Sequence, residues 1–393
     1  MFKFAHISDV HLGAFRDIAL REMNLNAFLK AMDKCIENKV DFIIFAGDLF
    51  DNNMPDAKVL SIAVKKMREV KDNEIEIYVI YGSHDYSPIQ ASIIDVLQSA
   101  GLFIKLDKNF IEDKKTKAKI AGVSALKRGE IEEDISQVKL AGYDEKDFRI
   151  FVLHAAISDV FSDPRLEPIT IGRLKYELDY IACGHVHQRA IEKIGNATIA
   201  YPGTLFGYTY QDLEATANGE KRGFFIITVD ENKKIKHDFI EIKEAEIKFL
   251  EYDATGKTPS QVVEEIKYFL NDVKNKVILL KIFGKLSIGK PSDIDFSDIK
   301  EYYLEKGASI VYINRNQLIG KEETEIEIIE ESRDETEKRL FEEQLKKFQF
   351  RNAKLKDVKT ALELLNALKE ENKGETKADY EKRMKELGIK ILG

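Results

Sequence analysis

KFAHISDVH (residues 3–11) and DFIIFAGDLFD (residues 41–51) decide how this chain is read. Each is a short apolar run that stops abruptly at Asp, Gly or His. Apolar runs of this length, bounded by turn residues, suit strands buried on both faces. Asp9 and His11 are two residues apart, so in extended backbone their side chains point the same way. Gly47 lets the chain turn tightly just before Asp48. Two buried strands that each deliver metal-ligating side chains at their exit point to an α/β protein with its chemistry at a sheet edge.

The pattern continues outward. EIYVIYGS (76–83), FRIFVLH (148–154), YIACGH (180–185), ATIAYPG (197–203) and GFFIITV (223–229) read as further strands. Residues 21–38 carry Met23, Phe28, Met32, Cys35 and Ile36 at helical spacing, and residues 56–70 and 88–100 also read as helical. Strands alternating with helices, then a strand-rich stretch, predict an α/β layered fold with packed sheets. A second unit spans 245–315. Its helix starts at Thr258-Pro259, a capping residue before Pro at the first helical position, and carries Val262, Val263, Ile266, Phe269, Leu270 and Val273 as an apolar stripe. Residues 316–332 are acidic and read as a linker. Residues 333–393 hold three helical patterns, the first presenting Leu340, Phe341, Leu345 and Phe348, the next Leu362 and Leu365, the last Tyr380, Met384 and Leu387.

At 393 residues and 44% apolar content the chain is long enough for two or three units with real cores. It has no apolar run of about 18 residues, hence no membrane span, and its N-terminus lacks the features of a signal peptide. Two cysteines, Cys35 and Cys183, lack metal spacing and are too few for a disulfide framework. A cytoplasmic protein is expected. The net charge of −8 argues mildly against nucleic-acid binding, so any such contact must be local or aided by metal ions and a partner.

Five of the seven histidines sit beside strand ends. Gly82-Ser83-His84-Asp85 follows one strand and His154 ends another. Gly184-His185-Val186-His187 repeats the i, i+2 spacing of Asp9 and His11, and Asp51 closes the GDLFD run. Phosphodiester hydrolysis needs a nucleophile made from water and neutralised phosphate charge, and two cations about 3.5–4 Å apart supply both. A mixed Asp/His shell suits Mn, Fe or Zn better than Mg or Ca. Asp48 is the choice for a carboxylate bridging the two. Taken singly, each piece has an ordinary reading: chance for D-x-H, a capped turn for GDLFD, a loop for GSHDYSP, a satisfied buried histidine for His154. Their order and shared strand-exit context favour a common metal site. His6 differs in phase from Asp9 and reads as structural, and His237 as part of a surface turn or strand.

In that order D-x-H, G-D-x-x-D, G-x-H-D, a later His and G-H-x-H resemble the calcineurin-like metallophosphoesterase superfamily. The fuller strings FAHISDVHLG, AGDLFD, YGSHDYSP, VLHAAIS and CGHVHQR resemble its DNA double-strand-break repair nucleases, namely the archaeal and eukaryotic meiotic-recombination nucleases and the bacterial SbcD subunit. The resemblance spans residues 4 to 189, and PGT (202–204) and the smaller α+β unit match the same layout. It implies a four-layer αββα sandwich over 1–240, a capping and DNA-contacting domain at 245–315, and C-terminal helices that bind a partner. It implies a Mn-dependent 3′-to-5′ exonuclease and single-strand endonuclease processing DNA ends. One Mn2+ would be held by Asp9, His11, Asp48 and His187, and a second by Asp48, Ser83, His154 and His185. His84 would stabilise the transition state or protonate the leaving oxygen, Asp85 would orient His84, and Asp51 would support the ligands. Ser83 departs from the pattern, which has Asn there; a shorter hydroxyl reaches a metal less readily than an amide carbonyl, which puts the second ion in question.

The C-terminal apolar stripes need burial, and short helices are marginal alone, which fits a helix-in-groove partner. The resemblance implies that this partner is a coiled-coil ABC-type ATPase, and that the nuclease forms a homodimer through helices such as 88–100, with Ile89, Ile93, Ile94 and Leu97 as candidates. Two rival readings remain: a phosphatase of the same superfamily acting on nucleotides or phosphoproteins, and a catalytically weak tether at DNA ends.

Overall fold

The computed structural model describes residues 1–86, 91–124, 128–138, 144, 146–172, 174–321, 359 and 377–392. The chain divides into two compact units, Met1–Glu322 and Glu323–Gly393. The first begins with β1 (Phe2–Ile7), α1 (Ile18–Glu37), β2 (Phe42–Ala46), α2 (Ala57–Asp72), β3 (Glu76–Ile80) and α3 (Ile93–Ser99). Then come β4 (Ile104–Lys105), β5 (Ile111–Glu112), β6 (Lys119–Val123), α4 (Arg128–Gln137), β7 (Arg149–His154), α5 (Leu174–Glu177), β8 (Tyr180–Gly184), β9 (Ala190–Ile194) and β10 (Ala197–Tyr201). It continues with α6 (Tyr210–Ala217), β11 (Gly223–Val229), β12 (Ile235–Glu241), β13 (Glu246–Asp253), α7 (Pro259–Lys267), β14 (Lys276–Lys285), α8 (Phe296–Glu305) and β15 (Ile310–Ile319).

Two six-stranded sheets, ordered β12-β11-β1-β2-β3-β4 and β5-β6-β7-β8-β10-β9, form the body. Their strands are apolar on both sides because both faces are covered. Between the sheets, Phe4, Phe42, Ile44, Tyr78 and Ile80 meet Ile120, Ile150, Val152, Tyr180 and Ala182. On the outer face of the first sheet, Ile43, Phe45, Ile77 and Val79 lie under Phe28 and Met32 of α1 and Ala63 and Met67 of α2. On the outer face of the second, Phe151, Leu153, Ile181 and Ile199 lie under Ile131 and Ile135 of α4 and Leu174 of α5. The layers are therefore helix, sheet, sheet, helix. Asp17 and Asp56 cap α1 and α2 by accepting their first free amides.

β1, β2 and β3 run parallel, as do β6, β7 and β8. Their carboxyl ends therefore open on the same side of each sheet. Sequence patterning missed β4, β5, β6, β9 and β12. β6 carries glycine at 122 because the backbone passes so close to β7 there that an added Cβ would lie 2.9 Å from the Val152 carbonyl. β9 and β12 are edge strands whose outward side chains are polar, and His237 sits on β12.

A separate three-stranded parallel sheet, β13-β14-β15, follows. Ile278, Leu280 and Ile282 pack against Val262 and Ile266 of α7 and Ile299 and Tyr303 of α8. Thr258 and Gln261 form a capping box at the start of α7. β15 runs on to Ile319, past the boundary at 315 suggested by composition, because pairing with β14 persists to Lys285↔Ile319 beneath polar side chains.

α3 starts at Ile93, capped by Ser92, and is shorter than the pattern at 88–100. Ile94 and Leu97 are buried in the core, which removes them from the candidate dimer surface; Ile89 lies outside the described residues. Leu340, Phe341, Leu345, Phe348, Leu362 and Leu365 also lie outside the described residues. The helix Lys377–Leu392 carries Tyr380, Met384 and Leu387, all half-buried. No helix among the described residues is long and apolar enough to cross a membrane.

Phe45 is fully buried between β2 and α1, with its ring 6.5 Å from that of Phe28. Phe45→Ala should cost about 3–5 kcal/mol of stability, read as a fall in the urea unfolding midpoint with an unchanged slope.

Candidate metal centre

Five strand exits converge. The segment after β1 lies alongside the segment after β2: His11 N donates to Asp48 O at 2.9 Å, and Leu12 N to Leu49 O at 2.9 Å. Asn24 of α1 holds the first segment by donating to Val10 O at 2.7 Å. The turns are sharp enough to put Asp9, His11, Asp48 and His185 at positive φ, between 48° and 82°. Left-handed backbone is uncommon for residues with a Cβ, and Asp and His are among those that tolerate it best. Close approach also demands glycine. A Cβ on Gly82 would lie 2.0 Å from Asp48 Oδ1, and one on Gly47 would lie 2.3 Å from His154 Nδ1.

Asp48 is at the centre and is buried. Its Oδ1 accepts from His84 N at 2.8 Å, and its Oδ2 faces Ser83 Oγ at 3.3 Å, His154 Nε2 at 3.1 Å and His11 Nε2 at 3.9 Å. His154 Nδ1 lies 2.8 Å from the Ala46 carbonyl, so Nδ1 carries the proton. In the neutral ring Nε2 is then a second acceptor aimed at a carboxylate oxygen, and it is among the buried atoms with no hydrogen-bond partner. Two acceptors at that distance need a positive charge between them. Without a cation a proton serves: burial opposes charging His154, but the Asp48 and Asp9 carboxylates outweigh it and lift its pKa to about 10. Burial likewise opposes ionising Asp48, yet His154 and His11 hold its carboxyl well below the usual range.

Asp9 is the second buried carboxylate. Burial pushes its pKa up, and His185 N, at 3.0 and 3.2 Å from its two oxygens, bonds to it across the seam between the sheets. His187 Nε2 lies 3.9 Å from Asp9 Oδ1 and 3.3 Å from His11 Nε2. Burial and the surrounding histidines push His11 down to about 3, and burial with the charge on His154 pushes His185 down to about 4. Both rings are therefore neutral and able to donate lone pairs to a cation. Three groups, Asp9–His11–His187, His11–Asp48–His84 and Asp9–Asp48–His154, each have ligand atoms within 4.8 Å of one another. A buried Asp/His set with an orphaned imidazole nitrogen fits divalent cations.

One expected role is corrected. Asp85 does not orient His84. It is fully buried and accepts from Phe50 N at 2.9 Å and from Leu49 N and Gly82 N at 3.1 Å, so it ties the third strand exit to the second. Burial and the nearby Asp48 push its pKa up to about 6. His84 Nδ1 instead lies 2.9 Å from the carbonyl of Asp51, whose carboxylate is 3.8 Å away. His6 is structural, bonded to the Tyr180 hydroxyl at 2.9 Å and the Cys183 carbonyl at 3.2 Å.

Three residues escaped the sequence reading. Tyr208 stacks flat on His11, with centroids 4.0 Å apart, and burial with the nearby Asp51 carboxylate raises the pKa of its hydroxyl. Asp212 Oδ2 lies 2.9 Å from His187 Nδ1. Arg222, nearly fully buried, donates to the carbonyls of His187 at 2.9 Å and Asp212 at 2.8 Å. The T-x-x-D pattern at 209–212 signals a helix start, which it is, and carries no hint of the contact with His187.

A family model described as calcineurin-like phosphoesterase matches residues 2–189, the stretch that contains every expected ligand. Residues 2–189 are a calcineurin-like phosphoesterase domain. Over part of its length the chain is similar to proteins named DNA double-strand break repair protein Mre11. That of Archaeoglobus fulgidus is 27% identical over 281 residues, covering 62% of this chain and 60% of the relative. That of Methanopyrus kandleri is 28% identical over 258 residues, covering 61% and 57%. That of Methanocaldococcus jannaschii is 26% identical over 294 residues, covering 72% and 76%. The chain thus spans less than two thirds of the length of the first two. The metallophosphoesterase domain accounts for the αββα layers and for the ligands at the strand exits.

Gly82→Ala should push Asp48 out of place without unfolding the sheets. Titration with Mn2+ should then show affinity lost by at least the roughly 10–100-fold typical of removing a support outside the ligand shell, with the circular dichroism spectrum unchanged.

Proposed function

We propose that this chain is a two-metal DNA nuclease that processes DNA ends in double-strand-break repair. The observation that carries the reading is the convergence of Asp9, His11, Asp48, His154 and His187 on one buried seam. The names of the similar proteins supply the substrate class. Asp9, His11, Asp48 and His187 hold one Mn2+, and Asp48, Ser83, His154 and His185 hold the other, with Asp48 shared. Bound there, the cations neutralise phosphate charge and activate water.

The chain's own residues do the rest. The Asp51 carbonyl fixes His84 through Nδ1, so the free Nε2 is turned toward substrate, where it steadies or protonates the departing 3′-oxygen. Tyr208 walls the pocket on the His11 side. Beyond it a cleft of about 1260 Å³ runs to the third sheet, lined by Phe15, Arg16, Tyr208, Tyr312, Lys300 and Arg315. Its size and aromatic lining suit a polynucleotide better than a small phosphomonoester, with Arg16, Lys300 and Arg315 set among Asp17, Asp293 and Asp295. The same reading assigns 3′-to-5′ exonuclease and single-strand endonuclease activity, a coiled-coil ABC-type ATPase partner at the C-terminal helices, a homodimer and a cytoplasmic location.

With Mn2+ the full chain should degrade linear and hairpin DNA and leave a generic phosphomonoester intact; turnover of the phosphomonoester with DNA untouched would defeat the proposal in favour of a phosphatase. His84→Gln should lower DNA cleavage by about 10²–10⁴-fold while Mn2+ binding is retained. Ser83→Asn should tighten the weaker of two Mn2+ binding steps in calorimetry.

A further inference from the structure

We propose that Asp212 is a positioning residue for the metal centre: it fixes the His187 imidazole so that Nε2 presents a lone pair to the cation shared with Asp9 and His11. This rests on the metal-site reading above and deepens it.

Asp212 Oδ2 lies 2.9 Å from His187 Nδ1. The same oxygen accepts from Tyr208 N at 2.9 Å and Thr209 N at 2.8 Å. An ionised carboxylate only accepts, so Nδ1 of His187 must carry the proton. In the neutral ring the lone pair is then on Nε2, the atom 3.3 Å from His11 Nε2 and 3.9 Å from Asp9 Oδ1. The brace is itself anchored. Arg222 holds the main chain of both partners, donating to His187 O and Asp212 O, and its Nε donates to Thr216 Oγ1 at 2.8 Å.

The ordinary account of Asp212 is the third residue of a capping box, with Thr209 Oγ1 accepting from Asp212 N at 3.1 Å. That box explains the contact with Thr209. It does not explain the contact with Tyr208 N, nor the orientation of the carboxylate toward His187. The other imidazoles with a bonded Nδ1 at the site, His154 and His84, are held by the neutral carbonyls of Ala46 and Asp51. His187 is held by a carboxylate, which fixes ring and tautomer more firmly and makes Nε2 a stronger donor. Because Asp212 lies in the first turn of α6, the short segment that leads into that helix also carries Tyr208 onto His11.

The test compares three variants of the full chain by Mn2+ titration and by nitrogen NMR of the imidazoles in the metal-free protein. Asp212→Ala should weaken Mn2+ binding by roughly 10–100-fold and release His187 from a single Nδ1–H tautomer into a mixture. Asp212→Asn keeps an acceptor oxygen without the charge; it should retain the tautomer and show a smaller loss of affinity. Thr209→Ala breaks the same capping box but leaves the brace, and should lower the unfolding midpoint with Mn2+ affinity unchanged. Parent-like affinity in Asp212→Ala, or in Asp212→Asn should the alanine variant not fold, reduces Asp212 to a helix cap and overturns the proposal. A parent chain that binds no Mn2+ overturns it together with the metal site. A chain that binds Mn2+ through the brace yet leaves DNA intact overturns only the nuclease assignment.

Discussion

Two carboxylates, Asp9 and Asp48, are buried in the seam between two sheets, and the rest of the structure answers that constraint. An ionised carboxylate away from water is costly unless paired or hydrogen-bonded. Here the compensation comes from neighbouring strand exits: His185 N for Asp9, and His84 N with the His154 ring for Asp48. The amides give only N–H groups, whereas the His154 ring also has a lone pair on Nε2 when neutral. A proton on His154 supplies the missing positive charge in the metal-free chain, and divalent cations fit the same gap, which makes an expensive burial a candidate binding site.

Bringing five exits this close has a backbone cost. Asp9, His11, Asp48 and His185 adopt left-handed conformations, and strain of this kind persists only where the surroundings over-determine it. The surroundings do so at two ranges. The packed αββα layers fix where the parallel strands end. Outside the ligands, Asp85 ties the third exit to the second, Asn24 ties the first to α1, and Arg222 ties the last to α6, each through main-chain groups. Asp85 is a case in point. It stands next to His84 in the chain, yet its carboxylate satisfies three amides of two loops and leaves His84 to Asp51.

The third sheet meets the metal domain through the segment around α6. Tyr210, the first residue of α6, packs on Tyr312 of β15 at 5.2 Å between ring centroids. Two residues earlier Tyr208 covers His11, and two residues later Asp212 meets His187. One short stretch thus touches both the small sheet and the ligand shell, and the cleft lined by Tyr208 and Arg315 lies between them.

The sequence by itself determined the α/β alternation, the strand exits that bear chemistry and the identity of their Asp and His residues, because these are local: buried strands are apolar runs, and i, i+2 spacing fixes direction in extended backbone. Edge strands β9 and β12 and the glycine-containing β6 were illegible, since their polar or small residues carry no strand period. The roles of Asp85, Tyr208, Asp212 and Arg222 were decided only in three dimensions. A carboxylate or guanidinium looks the same in sequence whether it caps a helix, ties down a loop or holds an imidazole. Which of these it does depends on a partner brought near by sheet packing, 25 residues away for His187 and Asp212.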